Sequence, residues 1–205
     1  MLPSLLIVDD FLADPVEARR QALNLGYDRA AKVGNYPGVT STRALALPGL
    51  DTAVSQLVGL PLIGADATLH GHGRLTLRND RGASGVHIDP VAFSGILYLN
   101  PPDQCAGGTD FYRHRRTGLD RVPTDPAGIA AAGYADINAL VEDVVNADTT
   151  KPGKWERIQT VPMRCNRLLL FSPWLFHNAR PGFGERPDTA RLVLLLFFAS
   201  APADV

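Results

Sequence analysis

Gly85-Val86-His87-Ile88-Asp89-Pro90 is the stretch on which the reading of this chain turns. In an extended segment, residues i and i+2 point to the same face. The His87 imidazole and the Asp89 carboxylate therefore aim into one space. Far downstream, Phe176-His177-Asn178 follows an apolar, strand-like run and supplies a third donor. Two histidines and one carboxylate are the facial set that holds a non-haem ferrous ion and leaves coordination positions free. Beyond His177, Arg191 opens the run Arg191-Leu-Val-Leu-Leu-Leu-Phe-Phe198. A guanidinium in strand phase with Val193 and Leu195 has apolar neighbours. It needs an anion, because an unpaired buried charge is costly, and a dicarboxylate suits it.

Around these residues the chain reads as one ordinary domain. It has 205 residues, 45% of them hydrophobic, which is enough for a full core. A net charge of −1 gives no bulk electrostatic case for nucleic acid. The apolar N-terminal run Met1 to Val8 lacks a basic flank and passes into Asp9-Asp10, which argues against a signal peptide. No run is long enough to span a bilayer. Cys105 and Cys165 do not make a disulfide framework and read as reduced thiols, so a cytoplasmic location is expected.

Leu5 to Val8 reads as a short strand. Asp14-Pro15-Val-Glu17 is a helix start, with Asp as N-cap and Pro at the first helical position. That helix is expected to run to about Leu25 and stop at Gly26. Asn35 to Gly38 is a loop, and Asp51 is expected to cap a second helix ending near Gly59. Strands are then expected at His70 to Arg78, Val86 to Asp89, Phe93 to Leu99, Thr109 to His114, Arg157 to Val161, Arg167 to Phe171, His177 to Ala179 and Arg191 to Ala199. The order gives an α+β, mainly β domain: N-terminal helical support over 1–68 and a β core over 69–199. Residues 115–154 are too long for a hairpin loop. Within them Asp136 to Ala147 has a helical apolar face of Ile137, Leu140, Val141, Val144 and Val145. This insertion is expected to be either a lid over the site or a surface elaboration.

Five local patterns, in order, resemble the Fe(II)/2-oxoglutarate-dependent dioxygenases, most closely the prolyl-4-hydroxylase-like branch. They are His87-Ile-Asp89; Ile96-Leu-Tyr98-Leu-Asn100; Ala106-Gly107-Gly108-Thr109-Asp110-Phe111-Tyr112; Asn166-Arg167-Leu-Leu-Leu-Phe171-Ser-Pro; and His177 followed by Arg191. The resemblance covers about Leu69 to Ala199. It implies a double-stranded β-helix (jelly-roll, cupin-like) with Fe(II) on His87, Asp89 and His177. It also implies 2-oxoglutarate as co-substrate and O2 as oxidant. Arg191 is expected to pair with the far carboxylate of 2-oxoglutarate, with Arg186 as its rival in a Gly/Pro-rich loop. Tyr98 either touches 2-oxoglutarate or is a core aromatic. Asp89 keeps a carboxylate where related halogenases have a small residue, which favours oxygen transfer or desaturation.

One departure bears on substrate. The tyrosine common shortly before the His-x-Asp pair is absent, and Arg78-Asn79-Asp80-Arg81 stands there instead. Prolyl substrates lose support accordingly. Arg74, Thr76 and Arg78 share a strand face. Turned inward, that face lets Arg78 meet an anionic substrate; turned outward, it is solvated. Trp174 either walls the pocket or lies in the core. His70, His72 and His114 are read as strand or turn residues, His114 as solvated. The leading reading is a hydroxylase, or another C–H oxidase, of a small molecule such as an amino acid or natural-product intermediate. The alternatives are a protein side-chain hydroxylase, or a non-catalytic or cupin-like metal-binding module that uses no 2-oxoglutarate. Oligomeric state is left open.

Overall fold

A computed structural model describes residues 4–30 and 35–202. The first three residues of the apolar N-terminal run lie outside that range. Ten strands and four α-helices make up the described chain: β1 (Leu5–Val8), α1 (Pro15–Leu23), β2 (Val39–Ala44), α2 (Leu50–Val58), β3 (Leu62–Gly64), β4 (His72–Thr76), β5 (Phe93–Tyr98), β6 (Gly108–His114), α3 (Pro126–Ala131), α4 (Ile137–Leu140), β7 (Trp155–Pro162), β8 (Leu168–Phe171), β9 (His177–Ala179) and β10 (Arg191–Ser200). They form a seven-stranded antiparallel sheet in the order β1-β8-β5-β10-β4-β2, with β3 also paired to β10, and a three-stranded sheet β7-β6-β9.

The alternation along β10 shows how the sheets are used. Leu192, Leu194, Leu196 and Phe198 pack with Ala18 and Ala22 of α1 and Val54 and Val58 of α2, so the helices cover one face of the large sheet. The residues between them point the other way. Val193 joins Phe111 and Val161 of the small sheet, with Phe171 and Tyr98, in a second core between the sheets. A third core lies on the far side of the small sheet. There Trp155 and Phe176 meet Leu140, Val144 and Val145 of the 115–154 insertion.

Local sequence explains the helix starts. The Asp14 carboxylate accepts the Glu17 N–H at 2.9 Å, and Pro15 takes the first position. The helix stops at Leu23, two residues earlier than expected, because Asn24 supplies the cap and its side chain donates to the Arg20 carbonyl. Gly49, in the left-handed region, caps α2 in place of Asp51. Asp51 lies inside the helix and accepts the Gly64 N–H, tying α2 to β3. Residues 1–68 are thus more than helical support, since β1, β2 and β3 all extend the large sheet. Among the described residues, no helix is long and apolar enough to cross a membrane.

Residues 115–154 fold as a packed layer. Asp125 caps α3 and Asp136 caps α4, which continues through Val141–Asn146 as a π-helical stretch. His114, expected in a solvated turn, is fully buried here. Its Nε2 lies 3.1 Å from Asp148 and its Nδ1 3.1 Å from Thr117. Trp174, a candidate pocket wall, packs into the same third core beside the insertion.

Candidate metal centre

His87 and His177 are backbone partners. The His87 N–H donates to the His177 carbonyl at 3.0 Å, and the His177 N–H returns the bond at 3.1 Å. This isolated bridge adds the His87 segment beside β9, although Val86 to Asp89 does not form the regular strand expected of it. The reason lies in its partners. Val86 and Gly85 donate to the carbonyl and hydroxyl of Thr149 in the insertion, while Asp89 donates to Pro173. The backbone groups are divided among Thr149, His177 and Pro173, so no ladder develops.

The side chains converge as the i, i+2 spacing predicts. One donor atom from each of His87, Asp89 and His177 falls within 4.8 Å of the others. Asp89 lies between the rings, 3.8 Å from His87 Nε2 and 3.4 Å from His177 Nε2. Both Nδ1 atoms face carbonyls, Gly85 at 2.9 Å and Leu175 at 2.8 Å. A carbonyl only accepts, so each Nδ1 carries the proton and each Nε2 offers its lone pair to the centre. Burial, reinforced by the adjacent His177, pushes the His87 imidazole down to about 4, so it is neutral at physiological pH. Burial acts to raise Asp89, but His177, His87 and the Ser94 hydroxyl outweigh it and hold the carboxylate below its usual range. Ser94 donates to Asp89 Oδ2 at 2.7 Å and fixes its rotation. Two imidazole Nε2 atoms and an ionised carboxylate, converging from three sides, fit a divalent cation.

The cluster opens on a cavity of about 640 Å³ between the sheets. That volume is in the range of small-molecule sites. Arg191, Val193, Leu195 and Phe197 line it from β10, and Arg74 and Thr76 from the neighbouring β4. Arg191 is 2% exposed. Its Nη2 reaches only the Gly108 carbonyl at 3.5 Å, and its Nε has no partner. Burial lowers its affinity for the proton, with Tyr98 opposing. A buried guanidinium with an orphaned N–H beside a cavity has the chemistry to receive an anion.

The other candidates separate cleanly. Arg186 is exposed and paired with Asp188 at 3.0 Å, away from the cavity. Tyr98 is fully buried in the core between the sheets. Its hydroxyl lies 2.8 Å from Thr109, its ring lies under the Arg191 guanidinium, and it does not line the cavity. Arg78 lines the mouth but is exposed. Trp174 does not line it. No residue of 115–154 lines it either, so the insertion backs the His87 segment instead of roofing the cavity. Two site residues carry no signal in the sequence: Ser94, and Tyr36, whose ring meets His87 edge-on at 4.7 Å. Each reaches the site through tertiary contact from a segment without a motif. Asp110, held by Thr160 at 2.5 Å, lies inside the Gly107-Gly108 pattern but is not singled out there as a site residue.

Gly85 shows how closely the insertion approaches. A Cβ there would overlap the Thr149 carbonyl, which is backbone and has no rotamer to escape through. Gly85→Ala is expected to cost about 1–3 kcal/mol in denaturant unfolding and to weaken metal binding together with stability.

Residues 3–198 match a family described as a family of unknown function, DUF6445, and the chain belongs to it. No curated protein matches the chain significantly. Among solved structures, it is similar to HygX from Streptomyces hygroscopicus with nickel, 2-oxoglutarate and hygromycin B bound. The identity is 15% and the TM-score 0.50, with 96% of this chain and 83% of that one covered. It is also similar to SnoN, a non-heme alpha-ketoglutarate-dependent epimerase from nogalamycin biosynthesis. There the identity is 18% and the TM-score 0.51, covering 97% of this chain and 79% of that one. These likenesses extend over the whole architecture and show the fold.

Proposed function

We propose that this chain is an Fe(II)- and 2-oxoglutarate-dependent oxidoreductase acting on a C–H bond of a small molecule. The observation that carries the reading is the coincidence, in one cavity, of an open two-histidine, one-carboxylate cluster and an unpaired buried arginine. The facing sheets are read as a double-stranded β-helix, with the order of motifs placing the chain nearest the prolyl-4-hydroxylase-like branch. HygX and SnoN, the one with 2-oxoglutarate and hygromycin B bound and the other an alpha-ketoglutarate-dependent epimerase, support the cofactor and a small-molecule substrate. The cavity volume agrees with such a substrate.

In this reading His87, Asp89 and His177 hold the metal, and Ser94 and the two backbone carbonyls keep their donor atoms aimed at it. Arg191 anchors the far carboxylate of 2-oxoglutarate, and Tyr98 positions Arg191. When bound there, iron with 2-oxoglutarate and O2 would supply the oxidising power for attack on a C–H bond. Phe171, Phe197, Val193 and Leu195 keep the walls apolar and so limit water beside the reacting groups.

The test needs no knowledge of the substrate. Protein supplied with Fe(II), O2 and 2-oxoglutarate is expected to form succinate slowly. Zn(II), which has no redox chemistry, and Asp89→Ala are each expected to abolish it. A protein that forms no succinate and, loaded with Fe(II), does not bind 2-oxoglutarate would leave the metal-binding module as the reading.

A further inference from the structure

The cavity holds a second cation that the proposed function does not use. Arg74 on β4 lies opposite Val193, while Arg191 lies opposite Thr76, so the two arginines are diagonal neighbours on the face that looks into the cavity. Diagonal residues on adjacent strands stand roughly 7–8 Å apart. Their side-chain environments differ from those of the remaining arginines at the cavity. Arg157 and Arg180 share the buried carboxylate of Asp110, at 3.6 and 3.7 Å, and Arg78 and Arg81 are exposed. Arg74 is partly buried and has no carboxylate partner among the described residues. Its Nε and Nη2 reach only the Thr40 hydroxyl, at 3.3 and 3.0 Å. Its guanidinium lies over the Tyr36 ring at 5.0 Å, and the same ring meets His87 at 4.7 Å. Arg74 is therefore two ring contacts from a metal ligand. A planar cation stacked on an aromatic face is held in place with donors to spare.

We infer that Arg74, braced by Tyr36 and Thr40, is a substrate-anchoring residue, and that the substrate is a small molecule carrying a carboxylate or phosphate. The word substrate rests on the reading of the site given above; the anion site itself rests only on this geometry. With Arg191 engaged by the co-substrate, Arg74 is the remaining partly buried cation on the cavity face without a carboxylate. It is close enough to the ligand cluster to hold a molecule with a C–H bond near the metal. Asp110 stays neutralised by its own arginines and does not compete.

The test uses protein loaded with Zn(II) and 2-oxoglutarate, so that nothing turns over, and three probes titrated by calorimetry: phenylacetate, phenyl phosphate and the neutral phenylacetamide. At least one anion is expected to bind about ten-fold or more tightly than the amide, the effect of a hydrogen bond to a charged group. The better of the two anions names the source of the negative charge. Arg74→Gln is expected to erase that preference while 2-oxoglutarate affinity stays within about two-fold. Arg74→Lys, a folded control that keeps the charge, is expected to retain part of it. Equal binding of amide and anions, no anion binding, or an undiminished preference in Arg74→Gln overturns the inference. So does a loss of 2-oxoglutarate affinity in Arg74→Gln that Arg191→Gln does not show, since Arg74 would then be the co-substrate's cation. Failure of the wild type to bind 2-oxoglutarate overturns the oxidoreductase reading instead. The comparison of probes is then made on the protein alone and still decides whether Arg74 binds anions.

Discussion

Alanine in place of His177 is expected to lower affinity for Fe(II) by more than about 100-fold, because losing even an outer partner of a metal ligand costs roughly 10–100-fold. Anaerobic titration, or iron content after dialysis, reads the effect. The fold itself is expected to survive. The bridge between positions 87 and 177 runs through backbone N–H and carbonyl groups, which alanine keeps. The lost ring leaves a gap against Phe171, whose ring lies 4.6 Å from the imidazole. A moderate drop in thermal stability should therefore accompany the change. Full iron occupancy in the variant would remove His177 from the ligand set.

The second large effect belongs to Arg191. Removing one partner of a buried ion pair costs about 3–5 kcal/mol, or roughly 10²–10⁴-fold in the dissociation constant. Arg191→Met is expected to weaken 2-oxoglutarate by that factor and to leave metal affinity unchanged. The ligand-free protein should tell a different story. Its guanidinium is buried with an unpartnered Nε, so an apolar side chain of similar length relieves an uncompensated charge. The melting temperature of the ligand-free variant is expected to equal or exceed that of the wild type. A purely structural arginine would give the opposite sign. Arg186→Ala, at an exposed pair with Asp188, is expected to change neither property; a large loss of co-substrate affinity there would transfer the role to Arg186.

The ligand cluster was legible in the sequence because its physics is local. The i, i+2 spacing fixes a shared face wherever the backbone is extended, whether or not a ladder forms, and so His87 and Asp89 converge although Val86 to Asp89 is not a regular strand. Five of the seven strands of the large sheet, β2 and β3 excepted, were legible for a similar reason. Runs such as Leu168 to Phe171 and Arg191 to Phe198 are apolar on both faces because the helices cover one side and the second sheet the other. β2 was not legible: Val39-Thr-Ser-Thr-Arg-Ala has little apolar content and owes its place to pairing with β4. Tyr98 and Trp174 show the same limit from the other side. Sequence sets an aromatic on a strand or turn, but which wall it joins depends on the layer packed against it. The insertion decided that for Trp174. His114 turned out buried because Asp148, 34 positions away, reaches it.

The placement of residues 115–154 divides labour within the chain. They hold the His87 segment through Thr149 and the third core, yet contribute no wall to the cavity. On the reading proposed above, hold on the ion and choice of guest would be written largely in separate stretches of sequence. Changes in the outer layer would then retune the first without altering the cavity walls. Tyr36 is the point where the two meet, since its ring touches both His87 and Arg74.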